Sequence, residues 1–250
     1  MIDYRILTSE NDFTKCIDLQ REVFHFSDIE TISPLFLKLF ARNNPPIGFA
    51  IGAFRTENEQ SELIAILLAT STFISKSVYV IALGVKPQYQ NKLHGYNLLL
   101  KLREISLEKD IQTMYGIFNP LEANLGRLYF KSLGFRGVSY EYDNNINASG
   151  KLLVKWDFKI PNKKTSNKEI ASDFELLPIA NLKSIPQSEL VLIEIPKDYK
   201  NMSENLQNFW QQTQKFVFNE YLNTRNYNII DCLTINLKNE RKSYYKLQKQ

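Results

Sequence analysis

Cysteine and histidine are close to absent. The 250 residues hold two of each, Cys16 and Cys232, His25 and His94. Two cysteines so far apart in sequence exclude a disulfide framework, and two histidines are too few for a histidine-based zinc centre, so no metal is expected. No apolar run reaches membrane-spanning length, and Met1-Ile2-Asp3-Tyr4-Arg5 lacks the apolar core of a secretory leader. The expectation is a cytoplasmic protein with no membrane partner. Charge of either sign is in small excess only, with 31 Lys and Arg against 27 Asp and Glu for a net +4. Such a balance suits an anionic ligand without calling for nucleic acid. Lysines gather at Lys163-Lys164 and in the last ten residues, where a solvated linker and a frayed tail account for them. What is present is ordinary for a globular protein: 44% hydrophobic and 23% charged residues, in a length that buries one large core or two small ones.

The most specific segment is Val80 to Leu100, VIALGVKPQYQNKLHGYNLLL. An apolar run, Val80 to Val85, reads as a buried strand. Pro87 stops it, a polar turn carries Gln90-Asn91-Lys92-Leu93-His94-Gly95, and a leucine-rich helix spans about 90–109. A helix N-terminus offers unpaired N–H groups and the positive end of the helix dipole, which suits a pyrophosphate. Gly95 gives one point where backbone can approach phosphate closely, and Lys92 and His94 offer charge or a hydrogen bond. The order of residues resembles the acyl-CoA-binding segment of the GNAT acyltransferase superfamily, a strand ending V-x-P followed by [Q/R]-x-x-G-x-[G/A]. Gln90 takes the Q/R position, Gly95 the last position, and Leu93 replaces the usual first glycine. The resemblance implies that the main chain of Leu83 and Val85 meets the pantetheine arm of acetyl-CoA or another acyl-CoA. It likewise implies that Gln90, Asn91, Lys92, Leu93, His94, Gly95 and Tyr96 hold its phosphates.

A second match lies downstream. The strand-like Ile111 to Phe118 is followed by Asn119-Pro120-Leu121 and a helix ending Leu128-Tyr129-Phe130-Lys131-Ser132-Leu133-Gly134-Phe135. In GNAT proteins the corresponding helix often ends L-Y-x-K-x-G-F, so the present run resembles it with one residue inserted. By that resemblance Tyr129 is the general acid that protonates the departing CoA thiolate, although counting back from Gly134 puts Phe130 in its place. Asn124 is a candidate for the pantetheine contact. Glu122 stands at the spacing of the family's asparagine, as a base or as an acidic residue favouring the helix start. Phe118-Asn119-Pro120-Leu121, Leu152-Leu153-Val154-Lys155-Trp156-Asp157 and Glu194-Ile195-Pro196 further resemble a GNAT subgroup of largely uncharacterised predicted acetyltransferases. That group carries F-D-P-L, L-x-V-x-W-D and E-I-P segments, and the likeness extends to Tyr244-Tyr245-Lys246-Leu247.

The rest of the chain agrees in order. Ile2–Leu7 reads as a strand, Ser9 as the N-cap of a helix through Phe24, and Ile32–Phe40 as a second helix ending before Asn43-Asn44-Pro45-Pro46. Ile47–Phe54 and Leu63–Phe73 read as strands flanking a polar turn, Arg55–Ser61. The expected fold is α+β, a GNAT acyl-CoA N-acyltransferase fold with a mixed, curved sheet and helices on both faces. It would occupy residues 1–160, with a linker at 161–175 and a C-terminal α+β lobe at 176–250. In that lobe Glu189–Ile195 reads as a strand, Met202–Thr224 as an amphipathic helix, and Ile229–Leu237 and Ser243–Leu247 as strands. This order resembles the second half of a GNAT domain without a phosphate loop, and the lobe is expected to be either a degenerate half-repeat or a unit that completes the acceptor site or a homodimer. Phe24, His25, Phe26 and Phe36 are candidates for the acceptor pocket. The resemblance implies transfer of an acyl group, acetyl by default, to the primary amine of a small molecule or amino acid. The alternative is a catalytically inactive CoA-binding or ligand-sensing protein.

Overall fold

The computed structural model describes residues 1–41, 47–143, 149–160, 175–177, 185–237 and 240–250. The expected linker at 161–175, all but its last residue, and the stop at Asn43–Pro46 lie outside them. The chain forms two compact units, Met1–Tyr115 and Gly116–Gln250.

The first unit is a sheet in the order β1 (Ile2–Ile6), β2 (Gly48–Glu57), β3 (Gln60–Ser71), β4 (Ser77–Val85), each strand antiparallel to the next. The central strands are buried on both faces, as their continuous apolar runs require. Helices α1 (Glu10–Phe24) and α2 (Pro34–Phe40) bury Phe13, Cys16, Leu19, Leu37 and Phe40 against one face. Helix α3 (His94–Glu108) packs Leu98, Leu99, Leu102 and Ile105 against the sheet from the other. Helix α1 begins as its sequence asks: Ser9 Oγ accepts from the Asp12 N–H, and the Asp12 carboxylate accepts from the Ser9 N–H. Asp12 is buried and also takes a bidentate pair from Arg5 at 2.8 and 2.9 Å.

The polar stretch Arg55–Ser61 is mostly strand rather than turn. Asn58 and Glu59, with φ of 46° and 64°, make a tight hairpin, and their neighbours stay in the ladder. Strand β4 carries a bulge. Leu68 pairs with Ala82 and Ala69 with Val80, so Ile81 is the extra residue and is 47% exposed.

Strand β5 (Thr113–Phe118) leads from the first unit into the second. In the second unit the order is β7 (Ser149–Asp157), β6 (Arg136–Asp143), β10 (Tyr227–Leu237), β11 (Glu240–Lys249), β9 (Leu190–Ile195), β8 (Glu175–Leu177). Only β8 and β9 run parallel among the registered pairs. Two similar modules are visible. Helix α4 (Ala123–Gly126) continues into a π turn (Arg127–Leu133), closes on left-handed Gly134 and leads into the hairpin β6–β7. Helix α5 (Glu204–Phe218) continues into a π turn (Asn219–Thr224), passes left-handed Asn226 and leads into the hairpin β10–β11. The first hairpin shifts register between Gly137 and Ser139, the second between Ile229 and Asp231. Ile229 pairs with Gly137, so the modules meet at equivalent residues, as about a twofold axis. The aromatic packing repeats too: Tyr129 stands edge-on to Phe135 with centroids 4.9 Å apart, and Tyr221 edge-on to Tyr227 at 5.0 Å. No helix among the described residues is long and apolar enough to cross a membrane.

A candidate phosphate-binding helix start and the buried tyrosine

Between β4 and α3 the chain makes a short 3₁₀ turn, Pro87–Tyr89, and then a polar corner. Helix α3 begins at His94 rather than at Gln90, because Gln90 to Leu93 are spent on that corner. Leu93 is the N-cap, left-handed at φ 64°, ψ 12°. Asn91 is left-handed too, at φ 61°. The backbone thus takes at Leu93 the conformation for which a glycine is the usual choice, and the leucine side chain is directed outward, 67% exposed. Leucine has no oxygen with which to cap, so the N-cap side chain makes no capping bond to this helix. The helix start therefore keeps the donors and dipole end that an anion uses.

Gly95 lies inside the first turn and needs no positive φ. A Cβ there would meet only Leu83 Cδ2, at 3.9 Å, an ordinary contact. Among the described residues, no packing contact or positive φ requires glycine at this position. The other loop side chains are mostly occupied. Gln90 Nε2 donates to the Val85 carbonyl at 3.2 Å, so that acceptor is taken by the loop itself. Lys92 Nζ donates to the Gln88 carbonyl at 3.1 Å and lies over the Tyr89 ring. Leu83 and Val85 pair with Leu67 and Ala65 of β3. Tyr96 is half-buried on the helix's first turn.

His94 faces inward. It is 8% exposed, and its Nδ1 lies 2.8 Å from the Tyr4 hydroxyl. Asn97 Nδ2 donates to that hydroxyl at 3.0 Å, so Tyr4 joins Asn97 and His94 in one hydrogen-bonded chain. Burial, with Lys92 adding to it, lowers the His94 pKa. A charged His94 reaching for phosphate does not fit this geometry, because the side chain is committed to β1. A second network anchors the loop. Tyr89 donates to Glu62 at 2.8 Å and accepts from Arg55 at 2.9 Å, while Lys86 pairs with Glu62 at 2.9 Å and Glu22 at 3.2 Å.

Tyr129, Asn124 and Glu122 belong to the second unit. The residue inserted in the Leu128–Phe135 run is absorbed by the π turn, which widens the helix while Gly134, at φ 76°, still closes it. Both Tyr129 and Phe130 are buried. Tyr129 packs between Phe118 and Phe135, and burial, with the Glu122 carboxylate adding to it, pushes its hydroxyl up to about 12. Its counterpart in the other module, Tyr221, donates to the Pro186 carbonyl at 3.0 Å. Glu122 is the N-cap of α4, makes no capping bond with its side chain, and pairs with Lys200 at 3.0 Å. Asn124 Oδ1 accepts from Arg127. Of the acceptor-pocket candidates, Phe24 stacks on Phe26 with centroids 5.0 Å apart, His25 is the left-handed C-cap of α1, and Phe36 is 56% exposed.

No protein-family model matches the sequence, and the search of curated proteins gives no match. Solved structures do match. Arabidopsis thaliana NAA60 in complex with acetyl-CoA is 17% identical with a TM-score of 0.51, covering 63% of this chain and 99% of its own. A protein of Staphylococcus epidermidis described as a probable acetyltransferase is 18% identical with a TM-score of 0.50, over the same shares. The NatC complex bound to Gag peptide and CoA contributes a chain 13% identical with a TM-score of 0.51, covering 62% of this chain and 98% of its own. The fold is that of the GNAT acyl-CoA N-acyltransferases.

Proposed function

We propose that this protein is a cytoplasmic acyl-CoA-dependent N-acyltransferase that transfers an acyl group, acetyl by default, to the primary amine of a small molecule or amino acid. The observation that carries the reading is the uncapped start of α3, entered through a left-handed Leu93 and followed by a glycine that the protein itself does not need. It occurs in a fold whose solved examples include complexes with acetyl-CoA and CoA. The residues fit the group: backbone N–H donors of His94, Gly95 and Tyr96 would face the pyrophosphate. Bound acyl-CoA supplies a thioester whose carbonyl carbon is open to attack by the amine, with the CoA sulfur leaving. The chain's part is mostly to hold the acyl group and exclude water, since a free amine needs proximity more than covalent help. In this reading the Tyr129 hydroxyl gives its proton to the sulfur. Tyr129 is protonated at neutral pH, as a proton donor must be, and burial, which raises its pKa to about 12, makes it a weak acid for that role.

Calorimetric titration with acetyl-CoA, succinyl-CoA and free CoA tests the reading first, followed by thiol release in the presence of a panel of amines. Micromolar binding and amine-dependent thiol release are the expected results; no binding at near-millimolar ligand refutes it. A second reading, CoA binding without turnover, is favoured by the burial of Tyr129 and by the pairing of Glu122 with Lys200. Binding with no thiol release from any amine, and no effect of Tyr129→Phe, would select it.

A further inference from the structure

Leu93 poses a problem that the loop has to solve. The left-handed region is unfavourable for a residue with a branched side chain, and an isolated Leu would leave it for the right-handed or extended region. A strained backbone persists only where its surroundings over-determine it. The restraints here are identifiable, and all lie in the first unit. On the C-terminal side of Leu93, His94 is fixed by the Tyr4 hydroxyl at 2.8 Å, and Tyr4 is fixed in turn by Asn97 at 3.0 Å. Asn97 also donates its backbone N–H to the Leu93 carbonyl at 3.0 Å, so one residue holds both the strained peptide and the tyrosine. On the N-terminal side, Tyr89 is pinned by Glu62 at 2.8 Å and meets the His94 ring edge-on with centroids 6.4 Å apart.

We infer that Tyr4, Asn97 and His94 form a hydrogen-bonded clamp that holds Leu93 in a glycine-like conformation and so positions the α3 start for the phosphates of CoA. They are positioning residues: the clamp acts through the backbone of Leu93, Gly95 and Tyr96, and its own side chains face β1 rather than the ligand. The inference rests on the proposed CoA site for its purpose, while the clamp itself is defined in the free protein.

The test is a cycle of four proteins: wild type, Tyr4→Phe, Leu93→Gly and the double variant. Tyr4→Phe keeps the ring and removes only the hydroxyl that joins Asn97 to His94. Coenzyme A is the probe in calorimetry, and amide hydrogen exchange over residues 90–97 is measured without ligand. Tyr4→Phe is expected to weaken CoA binding about tenfold and to speed exchange in the loop. With glycine at 93, which enters the left-handed region at no steric cost, the same substitution is expected to weaken binding less than threefold. In turnover the loss should fall on KM for the acyl-CoA, with kcat kept. Equal losses in both backgrounds, or unchanged exchange in Tyr4→Phe, overturn the clamp. If the wild type does not bind CoA while Tyr4→Phe still speeds exchange at 90–97, the clamp stands and the CoA reading falls.

Discussion

Replacing Gly95 by glutamate should separate stability from binding, because the two respond with opposite signs. The free protein has room at this position: a Cβ meets only Leu83 Cδ2, at 3.9 Å. Gly95 lies in the first turn of α3 and its φ is helical, so any L-residue can replace it without strain. Removing a helical glycine gains about 0.5 kcal/mol, and a carboxylate at a helix start gains about 0.3–1 kcal/mol from the dipole. The sum, about 1 kcal/mol, should raise Tm by about 2–4 °C for a chain of this size. The same carboxylate stands where the pyrophosphate is proposed to lie. Two like charges about 5 Å apart repel by about 3 kcal/mol at an effective dielectric constant of about 20, or about two orders of magnitude in Kd. Gly95→Ala serves as the control, adding a methyl group without charge. Scanning calorimetry of the free proteins and titration with CoA read the two effects separately. A Gly95→Glu variant that binds CoA within a few-fold of wild type would refute the phosphate assignment. A fall of several degrees in its Tm would refute the claim that glycine is unneeded there.

Three further expectations follow from the packing and the charges. If Tyr129 gives its proton to the leaving sulfur, Tyr129→Phe should lower kcat by about 10²-fold with KM for the acyl-CoA nearly unchanged, read by steady-state thiol release. Asn223 binds the backbone of Tyr140 twice, accepting from its N–H at 3.1 Å and donating to its carbonyl at 2.7 Å. Asn223 is itself exposed, so Asn223→Ala should cost about 1–2 kcal/mol, measured by urea denaturation, whereas a loss under about 0.5 kcal/mol would show that water replaces the pair. The Arg5 guanidinium holds the Asp12 carboxyl down at about 2, so folding stability from this pair is present above the ordinary value of 3.8 and fades as pH falls toward 2. That span is worth about 2 kcal/mol by linkage, and about 1–2 after allowing for the exposure of Arg5; Asp12→Asn should flatten the acid limb of a Tm-against-pH curve by this much.

The strand, corner and helix at residues 80–108 were legible because each has a strong local cause: an apolar run, Pro87 to end it, Gly95 and a leucine stripe to begin the next element. The N-cap at Ser9 and the αL closure at Gly134 were legible for the same reason. Leu93 was not, because its conformation is set against local preference by Tyr4 and Asn97, and Tyr4 lies on a strand at the start of the chain. Sequence spacing has no means of showing that His94 turns inward, and a histidine beside a lysine in a phosphate-like loop invites the opposite reading. The inserted residue before Gly134 was visible, but its effect was not: a π turn takes up one extra residue without disturbing either end of the helix. The bulge at Ile81 had no signal at all in an unbroken apolar run. Asn97, which falls on the same helical face as His94, was the one member of the clamp that spacing could have suggested.

The pairing of Ile229 with Gly137 also settles a question of concentration. A strand edge such as that of β6 is a template for any other strand that meets it, and when the complement comes from a separate molecule the joint weakens on dilution. Here the complement is β10 of the same chain, tethered for good. The joint is intramolecular, so its occupancy is the same in a dilute cell extract as in a concentrated stock.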